Sequence, residues 1–344
     1  MKAMLLEKTS HLAEESQPLA LRDLPIPEPG PGQVLIRVSA CGVCHTELDE
    51  IEGRAMPPHL PVIPGHQVIG RVVAHGPGAG RLAPGARVGA AWIYSACGAC
   101  EFCRSGRENL CPAFRATGRD AHGGYAEYML LPEAFAHPIP DGLSDTAAAP
   151  LLCAGAVGYR SLNLTNLHDG QALGLTGFGA SGHLVLLMVQ HLYPAARVHV
   201  FARSPAEQEF ARQLGAAWAG DTLAPPPEPL DAIIDTTPAW QPVLSALAAL
   251  APGGRLVINA IRKESADQPA LLGLDYPTHL WQEKEVKSVA NVTRQDVREF
   301  LALATAAAIH PEVQEYGLDQ ANQALLELKQ RKIRGAKVLR ILND

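Results

Sequence analysis

The chain has 344 residues, which at about 150 residues per domain suggests two domains. Hydrophobic residues make up 47% and charged residues 19%, the composition of a folded globular chain, so a disordered one is excluded. The net charge is −6 and no run of Lys or Arg builds a basic stripe, which argues against a nucleic-acid binder.

The first residues, MKAMLLEKTS, hold too short an apolar stretch for a secretory signal. The most apolar stretch, 173–193, is interrupted by Gly174, Gly177, Gly179, Gly182 and His183, which excludes a membrane-spanning helix. A cytoplasmic chain with no membrane partner is expected. Val34–Ala40 and Val68–Ala74 read as strands. The segments around them, PIPEPGPGQ, PPHLPVIPGH and HGPGAGRLAPGA, are dense in turn residues. Together they predict a β-rich domain with long loops.

There are seven cysteines, an odd number in a long chain, which argues against a secreted disulfide framework. Cys97, Cys100, Cys103 and Cys111 follow the spacing C-x2-C-x2-C-x7-C. Four thiolates in one short loop close a tetrahedron around zinc and leave no open position, which is the signature of a structural site. An iron–sulfur cluster draws on the same four ligands. Cys44, His66 and Cys153 form a dispersed second set: two thiolates and one imidazole, the ligand number of a catalytic zinc. Cys41 reads as a small buried apolar residue.

From residue 152 the pattern changes. Gln171–Leu175 reads as a strand, followed by Gly177, Phe178, Gly179, Ala180, Ser181 and Gly182, which spell G-x-G-x-x-G. A helical run HLVLLMVQHLY and a strand at Arg197–Phe201 complete a β-loop-α-β unit. Alternation continues with a helix at Pro205–Leu214, a strand at Ala232–Asp235, a helix at Trp240–Leu250 and a strand at Arg255–Ala260. That order predicts a doubly wound parallel sheet that binds a dinucleotide. The two leading glycines let the backbone approach a pyrophosphate at the helix N-terminus. An NAD site carries an acid about 20 residues past the loop to bind the ribose hydroxyls. Here that position is Ala202, followed by Arg203 and Ser204, a cation and a hydroxyl suited to a 2′-phosphate. NADP is therefore expected, with NAD possible. Arg334 and Lys337 are two further cations open as pyrophosphate contacts.

The motifs CGVCHTE at 41–47, GH at 65–66, Cys97 to Cys111, GGYAEY at 123–128, PLLCAG at 150–155 and SVANVTRQDVREFL at 288–301 span nearly the whole chain. With the glycine loop they resemble the zinc-dependent medium-chain alcohol dehydrogenases, nearest the cinnamyl-alcohol and broad primary-alcohol branch. The resemblance implies an α/β fold. A GroES-like β-rich catalytic domain (1–151 and 287–344) would be joined to a Rossmann domain (152–286), with the active site between them. It implies hydride transfer between a primary alcohol or aldehyde and NAD(P), two zinc ions per chain, and a homodimer or homotetramer. A polyol or secondary-alcohol dehydrogenase, or a non-catalytic relative, remains as an alternative.

Residue by residue, the resemblance assigns Cys44, His66 and Cys153 to the catalytic zinc. It assigns Thr46 to the alcohol proton and places His45 near the cofactor pyrophosphate. Glu47 becomes the acid that orients the ligand histidine, and Trp92 a pocket wall. Two positions depart from the family pattern. Gln67 stands where an acid usually follows the ligand histidine. Asp49 stands where the family often has His at the solvent end of a proton relay, or else is an exposed loop residue.

Overall fold

The computed structural model describes residues 1–330 and 335–342. The chain divides into two compact units. One comprises 1–153, 292–305 and 310 onward, and the other 154–291 with 306–309.

The first unit is built on the strand Gln33–Val43, whose apolar positions are nearly all buried. Its 11 residues serve two partners along one edge: Ala336–Arg340 pairs with its last four residues and Tyr128–Pro132 with its first half. Val68–His75 covers its other edge, followed by Arg87–Ala90 and Ala136–Pro138. These pairings are antiparallel, as a sheet built from loops rather than crossover helices requires. Val313–Gly317 adds a parallel strand outside Ala336–Arg340. Ile36, Val38, Cys41, Val68, Tyr125, Met129 and Leu325 pack in the core beneath this sheet.

Lys337 lies on the Ala336–Arg340 strand but is no phosphate contact. Its side chain is buried, and Nζ donates to Gln314 Oε1 (2.9 Å), Tyr316 Oη (2.5 Å) and Glu327 Oε2 (2.7 Å). Nothing in its surroundings leaves a donor for a cofactor. Arg334 lies outside the described residues.

Glu52 ties three distant segments together. It accepts from Leu12 N (3.1 Å), Lys329 Nζ (2.8 Å) and the Arg54 guanidinium. Burial acts to raise its carboxyl, but Lys329, Arg54 and the Leu12 amide outweigh this and hold it down to about 2. A carboxyl lowered on folding stabilises the fold above its unfolded value near 4.3 and loses that contribution as pH falls toward 2. Glu52→Gln is therefore expected to lower the melting temperature at pH 7. It is also expected to flatten the loss of stability between about pH 4.5 and 2. Thermal melts of both proteins across that range check this. Curves that stay parallel down to pH 2 would count against it.

The second unit is a six-stranded parallel sheet. Its spatial order is Trp218–Gly220, Arg197–Phe201, Ala172–Thr176, Leu230–Asp235, Leu250–Ile258 and Glu285–Ser288. Numbered in chain order this is 3-2-1-4-5-6, the Rossmann arrangement. Ala172–Thr176 is buried at every position, as a central parallel strand must be. The helix after it spans Ala180–Leu192, so the last three loop residues already form its first turn. The strand expected at Arg255–Ala260 begins earlier, at Leu250, and takes in Pro252, Gly253 and Gly254. These three lie within its irregular first half, where the register shifts between Leu230 and Ala232.

Candidate active site and metal centres

Cys44 and His66 are 22 residues apart but meet because of the sheet. Cys41 pairs with Val68 across an antiparallel ladder, and Gly42 N donates to Gln67 O at 2.9 Å. The end of one strand and the start of the next therefore emerge side by side, carrying Cys44 and His66 with them. Gly65, with φ of +99°, makes the turn into His66. A Cβ there would sit 2.4 Å from the Tyr125 ring and 2.9 Å from Cys41 Sγ, so only glycine fits. Cys153 comes from another direction, in the π-helical turn Leu151–Gly155 that follows the helix Asp145–Pro150.

The ligand atoms of Cys44, His66 and Cys153 lie within 4.8 Å of one another. His66 Nε2 is 3.7 Å from Cys44 Sγ. Tetrahedral zinc with a thiolate at about 2.3 Å and an imidazole at about 2.05 Å needs about 3.6 Å between those atoms. The donor set and its spacing fit zinc.

Glu47 positions two of the three groups. Its Oε1 is 2.6 Å from His66 Nδ1, and its Oε2 accepts from Cys44 N at 2.9 Å. The same contacts form a capping box on the helix His45–Ile51, with Cys44 as N-cap and its sulfur accepting from Thr46 N at 3.3 Å. Donation from Nδ1 to Glu47 leaves the Nε2 lone pair turned toward the cysteines. Burial opposes charge on His66, but Glu47 and Cys44 outweigh it and raise its pKa well above the ordinary value. Cys44 is raised by its hydrogen bond to Cys153 and by burial. Crowded protons of this kind are what a divalent cation displaces.

The loop Cys97–Cys111 gathers its four sulfurs within 4.8 Å. Cys97 Sγ and Cys103 Sγ are 3.8 Å apart, matching the about 3.8 Å edge of a tetrahedral zinc–thiolate site. Backbone amides point at the sulfurs: Cys100 N on Cys97 Sγ (3.3 Å), Cys97 N on Cys111 Sγ and Cys103 N on Cys100 Sγ (both 3.5 Å). The amides of Ala99 and Cys100 draw the Cys97 thiol down to about 6. The donor set fits a closed four-thiolate metal site.

Thr46 is half-buried and His45 exposed on the first turn of His45–Ile51. Asp49 is no exposed loop residue: it is 4% exposed, on the same helix, with Oδ1 2.6 Å from Arg54 Nε. Gln67 is buried. Trp92 is half-buried, 5.0 Å from the Phe114 ring, with the Arg119 guanidinium 5.9 Å from its centroid. Cys41 is fully buried and outside both clusters.

One acid escaped the sequence reading. Glu50 is 1% exposed, one turn from Glu47, and neither carboxylate oxygen has a hydrogen-bond partner among the described residues. Burial and Glu47 raise its carboxyl well above the ordinary range. The i, i+3 spacing from Glu47 was the available signal.

In the second unit Gly177 has φ of +83°, and a Cβ there would meet Thr236 Oγ1 at 2.5 Å. Gly179 is exposed, with nothing within 4 Å of a Cβ, and caps Ala180–Leu192 with no side-chain bond. Ala180 and Ser181 are half-buried behind it, and Gly182 packs against Gly177 O. The result is an open helix N-terminus with room for a pyrophosphate, so the loop fits a dinucleotide. Phe178 offers only backbone there, because its ring is buried 5.8 Å from Phe210. Ala202 is buried, Arg203 is exposed, and Ser204 is the N-cap of the helix Pro205–Gln213, with no side-chain capping bond.

Residues 30–141 match the family model described as the alcohol dehydrogenase GroES-like domain. The chain is 46% identical to the probable alcohol dehydrogenase AdhA of Mycobacterium tuberculosis, over 92% of this chain and 91% of that one. It is 32% identical to an alcohol dehydrogenase of Geobacillus stearothermophilus, over 98% and 100%. Among solved structures, an NAD-dependent alcohol dehydrogenase superposes with a TM-score of 0.85 at 26% identity, covering 99% of this chain and 100% of that one.

Proposed function

The chain belongs to the zinc-dependent medium-chain alcohol dehydrogenase family, and from that premise we propose that it interconverts a primary alcohol and its aldehyde. The observation that carries this reading is the convergence of Cys44, His66 and Cys153 around a space of zinc dimensions. When bound, zinc supplies Lewis acidity at an open fourth position and the nicotinamide exchanges the hydride. Cys44, His66 and Cys153 hold that zinc; Cys97, Cys100, Cys103 and Cys111 hold a second, structural one. Thr46 Oγ takes the alcohol proton in oxidation and returns it in reduction. Its place is set by the Thr46 amide bonded to Cys44. Glu47 keeps the His66 ring turned so that Nε2 faces the metal position. Trp92 forms part of the pocket wall.

The cofactor is NADP(H) in preference to NAD(H). The glycine loop 177–182 seats the pyrophosphate, and Arg203 with Ser204 receives the 2′-phosphate. Support comes from Arg203, which is exposed and makes no hydrogen bond or ion pair among the described residues, and from the missing acid at Ala202. Arg203→Ala is expected to lower kcat/KM for NADPH about tenfold, the scale of one charge-assisted contact at about 1.4 kcal/mol, and to change NADH less than twofold. Initial rates at 340 nm with both cofactors, against aromatic and aliphatic aldehydes, test the class and the preference together. Turnover favouring NADH would keep the class and overturn the preference; no turnover with either would overturn both.

Assembly as a homodimer or homotetramer, in the cytoplasm, belongs to the same proposal. The edge strand Glu285–Ser288 is exposed along its length, with Leu272, Tyr276 and Trp281 exposed in the segment before it. An uncovered parallel edge beside apolar side chains suits a second copy of the chain.

A further inference from the structure

We propose that Lys263 is a positioning residue for the dinucleotide, clamping the Asp235–Ala239 turn against the glycine loop. This inference rests on the reading of 177–182 as the dinucleotide seat.

The sheet register brings the parts together. Asp235 ends its strand opposite Thr176 on one side and Ile258 on the other. It is therefore level with the last residue before Gly177, at the carboxyl ends of the strands, where ligands of open parallel sheets bind. Asp235 is fully buried and Lys263 nearly so. Lys263 reaches back from the loop after Leu250–Ile258. Its Nζ pairs with Asp235 Oδ2 and donates to Thr237 O (2.8 Å) and Ala239 O (2.9 Å). The other carboxylate oxygen, Oδ1, accepts from Thr237 N (3.2 Å) and Thr237 Oγ1 (2.7 Å). One ammonium and one carboxylate thus hold four polar groups of a single turn.

That turn is the surface on which the glycine loop rests. Thr236 N and Thr236 Oγ1 donate to Thr176 O at 2.9 and 3.0 Å. Thr236 Oγ1 and Thr237 Cγ2 are 2.5 and 3.3 Å from where a Gly177 Cβ would lie. The Gly177 backbone therefore sits against Thr236 and Thr237, and the ion pair holds Thr237 directly and Thr236 through the turn they share. Without Lys263, Asp235 becomes a buried charge with no cation, and the turn must rearrange to hydrate it. Gly177 then loses its support, and the amides behind it lose their aim. Lys263 itself is saturated by protein oxygens, so it acts through the turn and not on the cofactor.

The test is NADPH binding to the zinc-loaded full chain, followed by nucleotide fluorescence, with kinetics and thermal melts beside it. Lys263→Met is expected to raise the Kd for NADPH at least tenfold, with kcat at saturating cofactor within threefold of wild type and two zinc ions retained. Lys263→Arg, which keeps the charge, is expected to bind within threefold of wild type. The double variant Asp235→Asn with Lys263→Met removes the uncompensated charge and so protects folding while still lacking the clamp. It is expected to show the same weakened binding. A double variant that folds and binds NADPH as wild type does would overturn the proposal, as would a Lys263→Met protein with a lower melting temperature but unchanged Kd. A wild-type chain that binds neither NADPH nor NADH would instead overturn the dinucleotide reading on which the clamp depends.

Discussion

Replacing Cys44 by serine is expected to remove the zinc proposed for the Cys44–His66–Cys153 cluster and to lower kcat/KM at least about a thousandfold. The size follows from the Lewis acidity a zinc ion contributes: about 4 kcal/mol of transition-state stabilisation corresponds to about 10³ in rate. The loss is local, because Cys44 is one of only two sulfurs in that cluster and the helix it caps has seven residues. Cys103→Ser provides the contrast. It dismantles the other cluster, so it is expected to remove one zinc and lower the melting temperature, with activity following the folded fraction. Glu47→Gln falls between the two. It keeps all ligands but loses the carboxylate that touches both His66 and Cys44, and a 10- to 100-fold drop in metal affinity is expected. Zinc content by mass spectrometry together with steady-state rates distinguishes the three. A Cys44→Ser protein holding two zinc ions at near wild-type activity would remove the basis for the proposed site.

Lys337→Met is expected to lower the stability of the fold by about 3 kcal/mol. Lys337 is 2% exposed and its ammonium is shared by Gln314, Tyr316 and Glu327. Breaking a buried pair by removing one partner costs about 3–5 kcal/mol; the lower end applies because the Glu327 side chain is 24% exposed and regains some water. The three groups join the strands Val313–Gly317 and Ala336–Arg340 to the helix Ala321–Lys329, so the loss falls on the whole edge of the sheet. Glu327→Gln keeps an acceptor for Lys337 and is expected to cost about 1 kcal/mol. Burial works against the charge on Lys337, and Glu327 and Tyr316 outweigh it, raising its pKa. Equilibrium unfolding in urea measures both variants. Equal losses for the two would show that Lys337 is held by packing rather than by its charge.

The features legible in the sequence were those whose signal is local. Four cysteines within 15 residues must lie close together whatever the rest of the chain does, and the loop places them within 4.8 Å. A glycine loop between a strand and a helix is a local pattern, and alternating elements point to a doubly wound parallel sheet; the order 3-2-1-4-5-6 came from the structure. The dispersed cluster drew its weight from the resemblance, since Cys44, His66 and Cys153 share no local pattern. What the sequence determined by itself was therefore the fold class, the four-cysteine loop and the glycine loop between its strand and helix. The tertiary structure decided the rest. It paired Cys41 with Val68 so that Cys44 meets His66, and turned Asp49 onto Arg54. It drew Lys337 into the core and left Glu50 buried with no hydrogen-bond partner among the described residues. The reason is that the partner of a charged or polar side chain is set by strand register and burial. Those are properties of segments tens to hundreds of residues apart, and no spacing within either segment encodes them.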